Sequence, residues 1–232
     1  MRHLKAGVVL AATLAAAVLC ASNANAQVKW DITPFAGYYI ASDLFDTYPD
    51  GSVPGTSGTT AVELTNSFAW GGRLTAISRR GALEFAYTRT GSDMKLKQPL
   101  GNQSRSTFGR LDIDNYDINF IGYEPTGNPK VTPFGVIGIG WSVTHPSIDG
   151  DFLGARPSPD GNTLFNFNFG LGVRVAMNEK IATRFEGRWR VTDTNLQTSS
   201  GLWCDPFGYC YSYSSNWYDA GELEAGISYS FR

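Results

Sequence analysis

The stretch "TLFNFNFGLGVRV", residues 163–175, places Phe165, Phe167, Phe169, Leu171, Val173 and Val175 on every second position, with Asn166, Asn168, Gly170, Gly172 and Arg174 between them. A period of two is the side-chain alternation of a β-strand, so one side of this strand is apolar and the other polar. Two kinds of protein use such a strand. One is a water-borne sheet, lipocalin-like or a sandwich, whose apolar side is the core. The other is a barrel turned inside out, whose apolar side meets hydrocarbon.

The neighbouring stretch "IATRFEGRWRV", residues 181–191, sharpens the choice. Ile181, Thr183, Phe185, Gly187, Trp189 and Val191 share one side; Ala182, Arg184, Glu186, Arg188 and Arg190 share the other. If this strand crosses a bilayer, its charged side must point inward, because an arginine facing lipid at mid-depth costs about 2–4 kcal/mol. The same parity recurs along the chain. Phe68, Trp70 and Leu74 alternate against Ser67 and Arg73, and Leu83, Phe85 and Tyr87 against Glu84. Tyr116, Ile118 and Phe120 alternate against Asn115, Asp117 and Asn119; Leu223, Ala225, Ile227, Tyr229 and Phe231 against Glu222, Glu224, Ser228 and Ser230. In "VTPFGVIGIGWSV" both parities are apolar or Gly, and Ile137, Ile139 and Trp141 are assigned outward.

Alternation of this kind predicts strands near 30–40, 63–78, 81–90, 111–124, 131–144, 163–177, 181–192 and 217–232. The connections are short after the second, fourth and sixth of them ("RR", "PTGNPK", "NEK") and run to about twenty residues after the others. A membrane barrel explains that rhythm, since one rim has tight turns and the other exposed loops. The segments also match the roughly 9–11 residues with which a tilted strand crosses hydrocarbon. The expected fold is therefore all-β: an eight-stranded antiparallel up-and-down transmembrane β-barrel spanning residues 27–232. Trp30, Tyr123, Tyr229 and Phe231 are expected as an aromatic girdle at the short-turn rim, and Tyr38, Tyr39, Trp141 and Trp217 at the long-loop rim.

Residues 1–26, "MRHLKAGVVLAATLAAAVLCASNANA", carry a basic start, an apolar middle and an A-x-A site at Ala24 and Ala26. They read as a cleaved secretory signal peptide, the apolar run of about 14 residues being short of the roughly 20 a spanning helix needs. Leu19 before Cys20 is too large for a lipoprotein signal. The formal charge of −2 gives no reason to expect nucleic acid as a partner. In an exported chain Cys204 and Cys210, separated by "DPFGY", are expected to form a disulfide; a metal pair would need His or further Cys nearby, and none is there. No metal site and no cofactor are expected.

An eight-stranded barrel is just wide enough for side chains to fill it. The inward set Arg73, Glu84, Asp117, Arg174, Arg184, Glu186, Arg188, Glu222 and Glu224 carries both signs, and is expected to pair into a plug that holds the bore shut.

The chain resembles the small eight-stranded outer-membrane barrels of Gram-negative bacteria, the group of the outer-membrane protein A transmembrane domain and the opacity or adhesion-type surface proteins. The most specific element is the end, "EAGISYSFR", where Gly226 precedes Ile227, Tyr229 and Phe231 on alternate positions. It is similar to the signal by which the outer-membrane assembly machinery recognises its clients, with the departure that Arg232 follows the last aromatic. "TPFGVIGIGWS" resembles the Pro-aromatic, Gly-x-Gly strand of this superfamily. The resemblance implies an outer-membrane monomer whose partners are outer-membrane lipid and lipopolysaccharide, the assembly machinery and a surface ligand of the loops.

Within that class the sequence leaves three functions open. A surface barrel with a structural or adhesive role would use the last long loop, where Trp203, Phe207, Tyr209, Tyr211 and Tyr213 surround the cysteines. A lipid A acyl hydrolase is the enzymatic alternative. "THPSIDGD" supplies His145 and Ser147 two apart with Asp149 and Asp151 near, although Pro146 and an expected loop setting depart from the strand-borne family motif. A narrow porin-like channel is the third.

Overall fold

The computed structural model describes residues 28–41, 43–49, 60–78, 81–96, 107–128, 130–148, 163–193, 202–204, 210–213 and 217–231. They form twelve strands: β1 (Lys29–Ala41), β2 (Asp43–Pro49), β3 (Thr60–Leu64), β4 (Ser67–Ile77), β5 (Gly81–Leu96), β6 (Thr107–Tyr123), β7 (Val131–Ile148), β8 (Thr163–Ala176), β9 (Ile181–Asp193), β10 (Leu202–Cys204), β11 (Cys210–Tyr213) and β12 (Trp217–Phe231). Eight of these close a ring in the order β1, β4, β5, β6, β7, β8, β9, β12. Every neighbouring pair is antiparallel, and β12 completes the circle by pairing with β1, which sets Phe231 opposite Trp30. Closure leaves the wall no open edge within the membrane, where unpaired backbone groups have no water to bond.

The parity read from the sequence is the parity of the wall. Phe68, Leu171 and Ile227 stand 64%, 75% and 58% exposed, whereas Glu84, Asp117, Asn119, Asn166 and Asn168 are fully buried. Ile137 and Ile139 are exposed, so β7 faces as assigned. The short turns are closed by backbone bonds, Ser78 N–H to the Gly81 carbonyl at 2.9 Å and Met177 N–H to the Ile181 carbonyl at 2.9 Å. In the second, the Asn178 side-chain oxygen accepts from the N–H groups of Lys180 and Ile181 at 2.9 and 2.8 Å, the local bonding that makes Asn a turn residue.

At the other rim the strands run further than expected. β5 continues to Leu96, β6 starts at Thr107 and β7 reaches Ile148. His145 and Ser147, expected in a loop, therefore lie on β7. A long β5 would expose an unpaired edge above the barrel. The first long connection covers it: β3 pairs with β5 and β2 with β3, and then β11 with β2 and β10 with β11. The long connections thus hold an outer sheet that the strand pattern alone did not announce.

Two girdle assignments are corrected. Tyr39 is 1% exposed and faces the bore, its hydroxyl 2.9 Å from that of Tyr218. Adjacent Tyr38 and Tyr39 cannot share a face of one strand, and it is Tyr38 that points outward. Tyr123 also turns inward, its ring edge-on to Phe134 at 6.2 Å, because it continues the inward parity of Asp117, Asn119 and Ile121. Trp30, Tyr229 and Phe231 are exposed on the outer face as expected. The side chain of Trp217 and residues 1–27 lie outside the described residues.

Candidate functional site

The bore is the most highly built part of the molecule. The inward face of β9 carries Arg184, Glu186, Arg188 and Arg190, so Glu186 meets an arginine two residues along on either side. Glu186 accepts from Arg184 through one oxygen, at 2.6 Å, and from Arg188 through the other, at 2.7 Å. Across the bore Arg184 pairs with Glu84 of β5, and Arg73 of β4 pairs with Glu224 of β12 and lies 3.3 Å from Glu186. Arg188 reaches Asp117 of β6 at 3.5 Å, joining this cluster to the next layer. There Arg190 binds Asp117 at 2.7 Å and Glu222 at 3.0 Å and donates to Asn166 at 3.0 Å. Nearer the short turns Arg174 pairs with Asp31 at 2.9 Å, and Ser230 donates to the same carboxylate.

All nine residues expected in the interior set are therefore brought together, with Arg174 at its margin. Two members were missed. Arg190 shares the parity of Arg188, a signal present in the sequence but not carried into the pairing set. Asp31 sits on a face shared with Phe35 and Tyr39, which hid its inward parity among aromatics. Those aromatics are part of the site. The Arg73 guanidinium lies 4.1 Å over the Phe35 ring and that of Arg184 lies 4.5 Å over Phe134. Gly172 makes room for the second stack: a Cβ there would lie 2.8 Å from Phe134 Cε1 and 2.6 Å from a backbone oxygen of β9.

An apolar cluster caps the charged network on the loop side, and a smaller one lines the β5–β7 side of the bore near the short turns, facing the Arg174–Asp31 pair. Toward the loops Tyr39, Leu64, Ala69, Met94, Leu111, Ile113, Tyr218 and Ala220 form one cluster; toward the short turns Ala82, Ile121, Phe134 and Val136 form another. Beside the second lies a cavity of about 10 Å³, bounded by Asp31, Tyr123, Arg174 and Arg184, which is room for about one water. Among the described residues no group of three or more His, Cys, Asp or Glu side chains is placed to hold a metal ion.

The remaining expected residues lie elsewhere. His145 and Ser147 are exposed on the outward face of β7, and His145 Nε2 is 3.5 Å from Asp114 Oδ2 of β6, not near Asp149 or Asp151, which lie outside the described residues. Cys204 and Cys210 are direct register partners across the β10–β11 pair, as are Trp203 and Tyr211, and Tyr213 is the partner of Thr47. Phe207 and Tyr209 lie outside the described residues. Gly226 is the partner of Phe35, and Ile227 and Tyr229 face outward below it.

A closed antiparallel ring with a lipid-facing apolar wall, a salt-bridged bore, short turns and both strand ends at one rim defines an outer-membrane β-barrel. The chain belongs to the outer membrane protein beta-barrel domain family, whose model matches residues 9–231. Among solved structures it is similar to the outer membrane protein OprG from Pseudomonas aeruginosa, at 12% identity and a TM-score of 0.59, covering 87% of this chain and 96% of that one. It is also similar to a major outer membrane protein from Thermus thermophilus, at 9% identity and a TM-score of 0.52, covering 88% and 100%. At these identities the likeness is one of fold. No curated protein sequence matches the chain. The protein is an outer-membrane protein.

Proposed function

We propose that this barrel is a non-enzymatic, non-conducting surface protein, a monomer delivered by a cleaved signal peptide at residues 1–26, that acts through its outer loops. The observation that carries the reading is the filled bore. Arg73, Arg184, Arg188 and Arg190 are each tied to at least two carboxylates, and an apolar cluster of eight residues separates that network from the loop rim. Moving an ion through would require breaking buried pairs, each costing about 3–5 kcal/mol when one partner is left alone. Purified protein in a planar bilayer is expected to stay silent; steady single-channel steps would replace this reading with the porin-like one.

The loops support an interaction role because they are organised, with strands from the first and last long connections paired into one sheet. Trp203, Tyr211 and Tyr213 lie in that sheet and are the proposed contact residues together with Phe207 and Tyr209. Exchanging residues 198–216 for a short turn should abolish attachment of expressing cells to a surface they otherwise bind, while the barrel still assembles. The register of Cys204 opposite Cys210 supports a disulfide across β10 and β11. Alkylation of the unfolded, unreduced protein should then add no mass. The end "EAGISYSF", with its outward Ile227, Tyr229 and Phe231, is the proposed assembly signal.

Lipid A acyl hydrolysis ranks second, on the observation that His145 and Ser147 share an exposed strand face and that His145 has a carboxylate neighbour in Asp114. Identical lipid A acylation in cells with and without the protein ends that reading.

A further inference from the structure

One patch of the outer wall breaks its apolar pattern. On β7 the outward positions from Pro133 to Val143 include Ile137, Ile139 and Trp141, and at a tilt near 40° they rise about 25 Å, the height of a lipid-facing band. The next outward residue is His145. On β5 the outward series Leu83, Phe85, Tyr87 gives way to Arg89; on β6 Phe120, Ile118, Tyr116 gives way to Asp114, Asp112 and Arg110. Tyr87 and Tyr116 pack at 5.3 Å between ring centroids directly below the change. The charges therefore stand at the depth of the outer-leaflet headgroups, above an aromatic belt.

The patch is organised. Asp112 holds Arg110 by one oxygen at 2.9 Å and faces Arg89 with the other at 3.6 Å, which sets two guanidinium groups side by side. Asp114 lies between Arg89 at 3.8 Å and His145 at 3.5 Å, and accepts from the Tyr87 hydroxyl at 2.7 Å. Gly91 gives Arg110 its path: a Cβ there would meet the Arg110 guanidinium and the Asp112 carboxylate. Asp112 and Asp114 lie against the wall with the cations over them, while Asp93, the register partner of Arg110 on β5, is exposed at the upper margin of the patch. The Arg89, Arg110 and His145 side chains are 43%, 60% and 56% exposed, against 32% and 10% for Asp112 and Asp114. Elsewhere at this rim the wall shows Tyr38, Ile40, Phe68 and Trp70 on β1 and β4, and Asp193 and Asp219 on β9 and β12.

We propose that Arg89, Arg110 and His145 form a binding site for the phosphate-bearing headgroup of an outer-leaflet lipid, with Asp112 and Asp114 fixing the cations. Two guanidinium forks beside one another match the several oxygens of a phosphate, and each keeps N–H groups beyond those turned to aspartate. The apolar wall immediately below, Leu83, Phe85, Ile118 and Ile139, receives the acyl chains of the same molecule; a free anion would leave that wall unused. The inference rests on the outer-membrane placement of the chain and is independent of what the loops bind.

The test uses the full barrel in phosphatidylethanolamine nanodiscs doped with bis-phosphorylated lipid A, with bound lipid per barrel read by native mass spectrometry. R89Q/R110Q is expected to lose affinity about thirtyfold, at the strength of a basic side chain near a membrane surface. D112N, which removes an anion and leaves the cations, should bind at least as well as wild type. Dephosphorylated lipid A should not distinguish wild type from R89Q/R110Q, and inorganic phosphate should not displace the bound lipid. Equal retention by wild type and R89Q/R110Q overturns the site, as does a loss in D112N matching that of R89Q/R110Q. Displacement by inorganic phosphate overturns its assignment to a lipid. If the double variant fails to give the heat-modifiable band of a folded barrel, R110Q alone, altering the most exposed of the three, takes its place with the same outcomes.

Discussion

Inside the bore, Arg184, Glu186 and Arg188 form ion pairs; on the outer wall, Arg89, Asp112 and Arg110 form ion pairs from the same side-chain chemistry. The two clusters differ in what surrounds them. Arg188 and Glu186 have no side-chain exposure, so neither charge has water as an alternative partner. Arg110 is 60% exposed and Asp112 32%, so each charge is solvated whether or not the other is present. An exposed pair stabilises a fold by little, while a buried one is costly to break. The inner cluster is thus structural and the outer one is free to act on something else.

The largest effect should come from unpairing the inner cluster. Glu186→Ala leaves Arg184 and Arg188 each short of a carboxylate and should lower stability by about 3–5 kcal/mol, read as a shift of the urea midpoint in detergent. An unchanged midpoint would mean that water reaches the bore. Next is the wall itself: Phe169→Arg places a charge on the lipid face near mid-depth and should cost about 2–4 kcal/mol in lipid vesicles. No loss there would reverse the sidedness of every strand. A smaller contrast separates two adjacent tyrosines. Tyr39→Phe removes the hydroxyl bonded to Tyr218 and should cost about 0.5–1.5 kcal/mol, while Tyr38→Phe should cost nothing comparable. The opposite order would exchange their faces. The smallest effect is expected for Arg110→Gln, whose unfolding midpoint should coincide with wild type; a drop like that of Glu186→Ala would make the outer patch structural too.

How much of this was legible depended on the range over which each feature is encoded. Alternation in β8 and β9 is a property of consecutive residues, and it sufficed to place Phe169 outside and Arg188 inside. It was less clear in β1, where Phe35 and Tyr39 lie on the polar side because guanidinium stacking and a closing apolar layer need aromatic surface there. Tyr123 was misplaced for the same reason: an aromatic near a strand end can belong to a girdle or to a plug. The upper parts of β5, β6 and β7 read as loop because Gly91, Pro146 and scattered charges dilute the pattern, whereas pairing with neighbouring strands holds them extended.

The sequence by itself determined sidedness, the number of strands in the barrel wall and membrane residence, since all three follow from a period of two and from the spacing of tight turns. Only the tertiary structure decided which charges meet. Glu84 and Arg184 are 100 positions apart, and Arg73 and Glu224 are separated by 151. Such partners are set by closure and register of the ring, and no local pattern records them. The outer patch has the same origin: its residues come from β5, β6 and β7, and become one surface only when those strands lie side by side.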